Sequence, residues 1–456
     1  MIAATRPAVG AATGPLSQAQ LGMWFLERRA GTTLYAEPMT FRLTGEVNVR
    51  ALHAAAEEVV RRHDALRTRF TMVDGAPRQY VVPDARVPLA RVDLAYLPPD
   101  QRHRRAERLL RAELGRPIDL AAGPLVRATL IRLAPHDHLF RLTLHHLVCD
   151  AWSWWMVVLR ELEELYARRV GGVPAPLEPV RTHYAEFVDW QERWLNSPAH
   201  TRQADHWRRA LSGVTPLPEL TLARTTAPVP HTVSATEWTA FPQPLHDRLR
   251  ALGRREHVTL YMLLLTAFAR VLRRHVPGDD ILVGTRGGFR SRPEFEKTVG
   301  LFVNMLPIRT RVAEDTGFHE LLPQVRDTLL GTYLNRDLPF ERLVAELGLR
   351  RTGARPVINV CVSFQTTPEV MPRLPGLEVT LVNHDPYSPF DLDLGFYTED
   401  GGLRALMIYN PARYAPEAVR HLLDALSREL WDATQHAGTP RTAGPVRPHD
   451  AKETTA

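Results

Sequence analysis

The chain has 456 residues, 44% hydrophobic and 24% charged, with a formal charge of +6, which is enough for two or three domains with a real core. Only two of its 57 basic residues are lysine, Lys297 and Lys452, and the basic residues lie dispersed among acids, so no phosphate track for nucleic acid is expected. Two cysteines, Cys149 and Cys361, exclude a disulfide framework, no CxxC or Cys/His metal spacing occurs, and neither a signal peptide nor an apolar run long enough to cross a bilayer is present, so a cytoplasmic protein with no bound metal and no membrane contact is expected.

Residues 1–15 read as a disordered leader. Ser17 and Gln20 form a capping box, with Leu21, Trp24 and Phe25 on one helix face. A helix is predicted near 47–64, strands near 66–73 and 78–82 around the turn Asp74-Gly75, and an Arg-rich helix near 100–114. Strands near 125–133 and 138–146 flank Ala134-Pro135. A helix near 153–168 follows, burying Trp155, Leu159 and Leu162. The Gly/Pro-rich stretch from Gly171 to Pro179 is the expected boundary between lobes, 16–178 and 179–437. Beyond it come helices near 182–196 and 200–211, a Pro- and Thr-rich loop, helices near 243–255 and 259–275, and strands near 280–285 and 303–311. Helices near 316–334 and 338–347, strands near 357–365, 377–383, 391–397 and 403–409, and a helix near 415–436 complete the pattern. Residues 438–456 read as a disordered tail.

The most informative run is RLTLHHLVCDAWS, residues 141–153. Along a strand, Phe140, Leu142, Leu144 and His146 share one face, and Arg141, Thr143 and His145 the other. If the strand continues through both histidines, they point in opposite directions: one can line a cavity while the other anchors the backbone. Imidazole titrates near neutrality and suits proton transfer. Cys149 lies on the parity opposite to His146 and reads as a packed small residue. Ser153 reads as a helix N-cap, since no second base is spaced to activate it.

Further blocks accompany this motif in order: LSQAQLGMWFL (16–26), RRHDALRTRF (61–70), HHLVCDAWS, THYAEFVDWQERWL (182–195), GTRGGFRSRPEFE (284–296), VGLFVNMLPIR (299–309) and NRDLPFERLV (335–344). Together they resemble the condensation domain of non-ribosomal peptide synthetases, within the chloramphenicol-acetyltransferase-like superfamily. The resemblance implies an α/β (α+β) fold of two lobes in a V-shaped pseudo-dimer with a tunnel between them. It also implies an acyltransferase: a donor thioester on the phosphopantetheine arm of a carrier protein meets an amine or hydroxyl acceptor, carrier-bound or free, giving an amide or ester. No bound cofactor is implied. The sequence begins with Met and ends without an adenylation or carrier segment, so a free-standing, monomeric enzyme of natural-product biosynthesis is expected.

The same resemblance assigns His146 as the catalytic or substrate-orienting histidine, His145 as its support, and Asp150 as a structural carboxylate paired with Arg290 across the lobes. Ala151 stands where the family usually has Gly, and Met305 where it usually has Thr. Either could alter the channel. Trp152 is a tunnel-wall candidate, and Asn304 orients a loop or the substrate. Three other readings share parts of this pattern: a catalytically silent recruitment module, an epimerisation domain and a CoA-dependent acyltransferase.

Overall fold

The computed structural model describes residues 13–30, 35–171, 177–225, 234–290, 292–349, 356–365, 370–382, 388–399 and 401–435. The tail 438–456, most of the leader and residues 172–176 of the expected linker lie outside them. Thr13–Gly14, at the end of the expected leader, pair with Tyr80 and Gln79 as a short strand.

The strand Asp137–His145 organises the first half. It is buried on both faces because both carry apolar or bonded side chains. Phe140, Leu142 and Leu144 enter the larger core, while Leu139 joins a satellite cluster with Leu110 and Ile131. Arg141 is buried with its hydrogen bonds met: Nε donates to Thr40 Oγ1 at 2.8 Å and Nη1 to the Leu110 carbonyl at 2.6 Å, as a buried guanidinium requires. The five-stranded sheet runs Leu377–Val382, Ala36–Gly45, Asp137–His145, Val126–Ala134, Leu89–Asp93. Only its last pair is parallel.

The second sheet has six strands, in the order Val303–Arg311, Asp280–Gly288, Val360–Phe364, Leu392–Glu399, Gly402–Tyr409, Ala235–Phe241. Val360–Phe364 pairs in parallel with both of its neighbours. The helices Leu260–Arg273, Phe318–Leu334 and Pro416–Gln435 place their apolar stripes against it in one core. Thr13–Gly14, Ala76–Val81 and Thr68–Val73 make a third, small sheet.

The two halves exchange material. Leu377–Val382 pairs with Ala36–Gly45, Val379 opposite Leu43 and Leu381 opposite Phe41, so a late strand closes the early sheet. Tyr184, Phe187, Phe289, Phe295, Leu301 and Phe302 also pack in the first core. Residues on both sides of the expected boundary at 178/179 thus share one core.

Three longer strands escaped the sequence pattern: Ala36–Gly45, Leu89–Asp93 and Ala235–Phe241. The first carries Pro38, normally a sign against a central strand. Among the described residues Pro38 pairs only with Asp137–His145, since the pairing of Leu377–Val382 is described as far as Thr40. In the opening helix Gln18–Ala30, Trp24 is buried but Phe25 is exposed, so the apolar face is narrower than expected.

Candidate active site

The strand stops one residue earlier than strand parity required. His145 is its last residue, and His146–Val148 form a single 3-10 turn. The divergence of the two rings is therefore set by the turn and not by strand alternation. The turn is pinned from three sides. His145 N donates to the Leu125 carbonyl at 3.0 Å, His146 N donates to the Tyr35 carbonyl at 2.8 Å, and Gln20 Nε2 donates to the Leu147 carbonyl at 3.0 Å. Gln20 is held by the Ser17 capping box, whose two reciprocal bonds are both 3.1 Å.

His145 is fully buried. Its Nδ1 accepts from Leu147 N at 3.2 Å, and its Nε2 faces the buried Glu27 carboxylate at 3.7 Å. His146 remains about 21% exposed at its side chain. Its Nδ1 lies 2.6 Å from the Cys149 carbonyl. A carbonyl only accepts, so Nδ1 carries the hydrogen, and the neutral ring presents its lone pair at Nε2. The Glu37 carboxylate, 39% exposed, lies 3.5 Å from Nε2.

Asp150 is a buried bracket. Its carbonyl accepts from Trp154 N at 2.9 Å and its Oδ1 from Ser153 N at 2.8 Å, which makes Asp150 the N-cap of the helix that opens at Ala151. Ser153 is therefore not the cap. Oδ1 also accepts from Ser153 Oγ at 2.7 Å and Arg290 Nη2 at 3.1 Å, and Oδ2 from Phe302 N at 3.1 Å. Burial alone would push this carboxyl up. The Arg290 charge and the Ser153 bonds outweigh it and hold the group below the ordinary carboxylate range. Ser153 Oγ additionally accepts from Arg290 Nη2 at 2.7 Å and Gly300 N at 3.1 Å. Arg290 Nη1 donates to the carbonyls of Phe295 (2.6 Å) and Thr298 (2.8 Å), and its guanidinium stacks 4.1 Å above the Phe302 ring.

The remaining candidates sit apart from the imidazole chemistry. Cys149 is buried, and desolvation pushes its thiol well up, which removes the thiolate a nucleophile needs. Trp152 Nε1 donates to the Glu296 carbonyl at 2.9 Å and braces that segment. Ala151 is exposed, so its methyl displaces nothing in the core. Asn304 is held by backbone on the loop that follows: Nδ2 donates to the Arg336 and Leu338 carbonyls (2.8 and 2.9 Å) and Oδ1 accepts from Phe340 N at 2.9 Å. Met305 packs on a small cluster with Leu282, Val357 and Ile358. Asn304 is tied to the loop 336–340 by these bonds, and Met305 to that cluster.

Glu37 was missed because the strand carrying it was missed. Once Ala36–Gly45 is paired with Asp137–His145, its register sets Glu37 opposite Leu144, diagonal to His146. Among the described residues no cluster of three or more His, Cys, Asp or Glu is set to hold a metal, and no helix is long and apolar enough to cross a membrane.

The sequence profile of the condensation domain matches residues 11–443. The chain belongs to the condensation-domain family. It is 35% identical over 437 residues to a linear gramicidin synthase polypeptide of Brevibacillus parabrevis, covering 95% of this chain and 9% of that protein. It is 34% identical over 442 residues to phosphinothricin tripeptide synthetase PhsC of Streptomyces viridochromogenes, covering 96% of this chain and 40% of that one. The chain thus spans well under half the length of these curated relatives.

Among solved structures, the X-domain from teicoplanin biosynthesis superposes with a TM-score of 0.83 at 25% identity, covering 95% of this chain and 98% of that one. The SgcC5 protein from Streptomyces globisporus superposes with a TM-score of 0.75 at 27% identity, covering 93% and 99%. The fold is the chloramphenicol-acetyltransferase-like α/β fold of condensation domains, a family that forms amide bonds by acyl transfer.

Proposed function

We propose that the protein is a free-standing condensation enzyme. It takes an acyl or aminoacyl thioester from the phosphopantetheine arm of a carrier protein and passes it to an amine or hydroxyl acceptor, carrier-bound or free. The observation that carries this reading is the fixed tautomer of His146: Nδ1–H is tied to the Cys149 carbonyl, leaving Nε2 open with partial exposure. For an amine acceptor, the nitrogen attacks the thioester carbonyl, the carbon–nitrogen bond forms and the carbon–sulfur bond breaks. His146 Nε2 takes the proton the nitrogen loses and returns it to the departing sulfur as a thiol. A positioned base of this kind is worth ~10²–10⁴ in rate, and holding the acceptor accounts for part of it. The reacting groups would meet in a tunnel between two lobes of a V, reached from opposite mouths. The enzyme would act as a cytoplasmic monomer.

The test is reconstitution in trans. Carrier-loaded acyl donors are mixed with amine and alcohol acceptors, and products are read by mass spectrometry. Product with the wild type and its loss with His146→Ala support the reading. No product from any donor and acceptor favours a silent recruitment module, and product from acyl-CoA but not from acyl carrier favours a CoA-dependent transferase.

A further inference from the structure

Glu37 belongs to none of the motif blocks, yet its Oε1 is 3.5 Å from the only nitrogen of His146 left open. With Nδ1–H committed to Cys149, Nε2 and Oε1 are both hydrogen-bond acceptors in the neutral ring. Two acceptors side by side repel unless a donor bridges them. Among the described residues no arginine or lysine pairs with Glu37. The nearby Asp150 charge, in contrast, is fully compensated by Arg290, Ser153 and Phe302. A carboxylate with no arginine or lysine partner among the described residues, standing at the mouth of the base, is a site for a cation that arrives with the substrate.

We propose that Glu37 is a specificity-determining residue: its carboxylate holds the acceptor's amino group beside His146 Nε2 and makes the site prefer amines over hydroxyls. The inference rests on the acyl-transfer reading above. An ammonium or amine carries at least two hydrogens, one for Oε1 and one for Nε2, while a hydroxyl carries one and leaves an acceptor unmet. The ammonium also brings the charge opposite to the carboxylate, and it gives its extra proton to solvent before the neutral nitrogen attacks, which leaves Nε2 free for the proton lost on bond formation. A charge-assisted hydrogen bond of this type changes binding by about 10-fold or more. The placement is built into the backbone, since Ala36–Gly45 is fixed in register by nine paired residues against Asp137–His145, and His146 N is bonded to the Tyr35 carbonyl two residues before Glu37.

The experiment compares matched α-amino and α-hydroxy acyl N-acetylcysteamine thioesters as acceptors, with a carrier-loaded acyl donor, for the wild type, Glu37→Gln and Glu37→Asp. Glu37→Gln is expected to lower kcat/KM for the α-amino member by about 10-fold or more, mainly through acceptor KM. The effect on the α-hydroxy member should be much smaller, so the amine preference collapses, while donor KM and unfolding midpoint hold. Glu37→Asp, which keeps the charge, should recover part of the preference. Equal changes for both acceptors, or an unaltered α-amino KM, would overturn the inference while leaving the acyl-transfer reading standing. A wild type that makes no product with any pair would overturn both.

Discussion

Arg290 Nη2 lies 3.1 Å from Asp150 Oδ1, and this pair ties the histidine loop to the segment 290–302. The side chains are 10% and 3% exposed, so each charge has exchanged water for the other and for backbone bonds. Removing one member strands its partner, at a cost of about 3–5 kcal/mol. Asp150→Ala should lose that much in chemical denaturation, and the double variant with Arg290→Ala should lose less than the two single losses combined. Because the carboxyl is held below its ordinary range, its contribution is complete above that range and fades as pH falls through the lowered value. The stability gap between wild type and Asp150→Ala should narrow on acidification.

The two histidines should separate by type of defect. His146→Ala removes the open Nε2 and one bond to the Cys149 carbonyl. Product formation should fall by ~10²–10⁴, while the unfolding free energy stays within about 1 kcal/mol. His145→Ala empties a buried site and leaves Leu147 N without its acceptor, which should cost about 1–3 kcal/mol in stability. Parallel activity and denaturation measurements on both variants decide this. Equal destabilisation by the two substitutions would refute the assignment.

Gly300 has no room for a side chain. A Cβ there would meet Tyr184 Cδ2 at 2.0 Å, and Tyr184 is anchored by bonds to Ser17 Oγ (2.9 Å) and the Leu301 carbonyl (2.6 Å). Gly300→Ala must displace a buried aromatic or shift the backbone that donates to Ser153. Overpacking of this kind costs about 1–3 kcal/mol. The measurable result is a lower urea midpoint, partly restored by Tyr184→Leu if the clash is the cause.

How much of this was legible beforehand depended on where the information sits. The period-3.6 stripes of Gln243–Glu256, Leu260–Arg273 and Pro416–Gln435 and the ordered motif blocks are local, and the family and most helices followed from them. Strand parity sorted Phe140, Leu142 and Leu144, which enter the larger core, from Arg141, which does not, but failed at His146, where the chain turns into a 3-10 helix. Sequence alternation cannot announce where a strand stops. Ala36–Gly45 was obscured by Pro38, and with it Glu37. The pairing of Leu377–Val382 with that strand joins residues more than 330 positions apart, a relationship no local pattern encodes. The sequence reading takes Ser153 as the helix cap, and the bond from Ser153 N to Asp150 Oδ1 gives that place to Asp150.

Glu341 gives the last prediction, because its carboxyl is a titrating group with no cation paired to it among the described residues. It stands in the short helix Phe340–Glu346, pressed against Gly22 of the opening helix, where a Cβ would come within 2.5 Å of its Cγ. Desolvation there pushes the carboxyl up to about 7, with its own backbone N–H opposing only in part. The sign follows from proton counting. Between the ordinary carboxylate value and about 7, the folded state holds a proton the unfolded chain has lost, so stability falls as pH rises through that window and the penalty is complete above it. Part of the residue remains accessible, and water screens some of the cost, so Glu341→Gln should stabilise the protein by about 1–2 kcal/mol at pH 8. Near pH 5 the wild type is already protonated at this site when folded, and the gain should shrink towards zero. Urea denaturation of both proteins at the two pH values tests this. A gain at pH 8 no larger than at pH 5 would mean that the carboxyl ionises in the folded protein as it does in the unfolded chain, and that Gly22 leaves it enough water to do so.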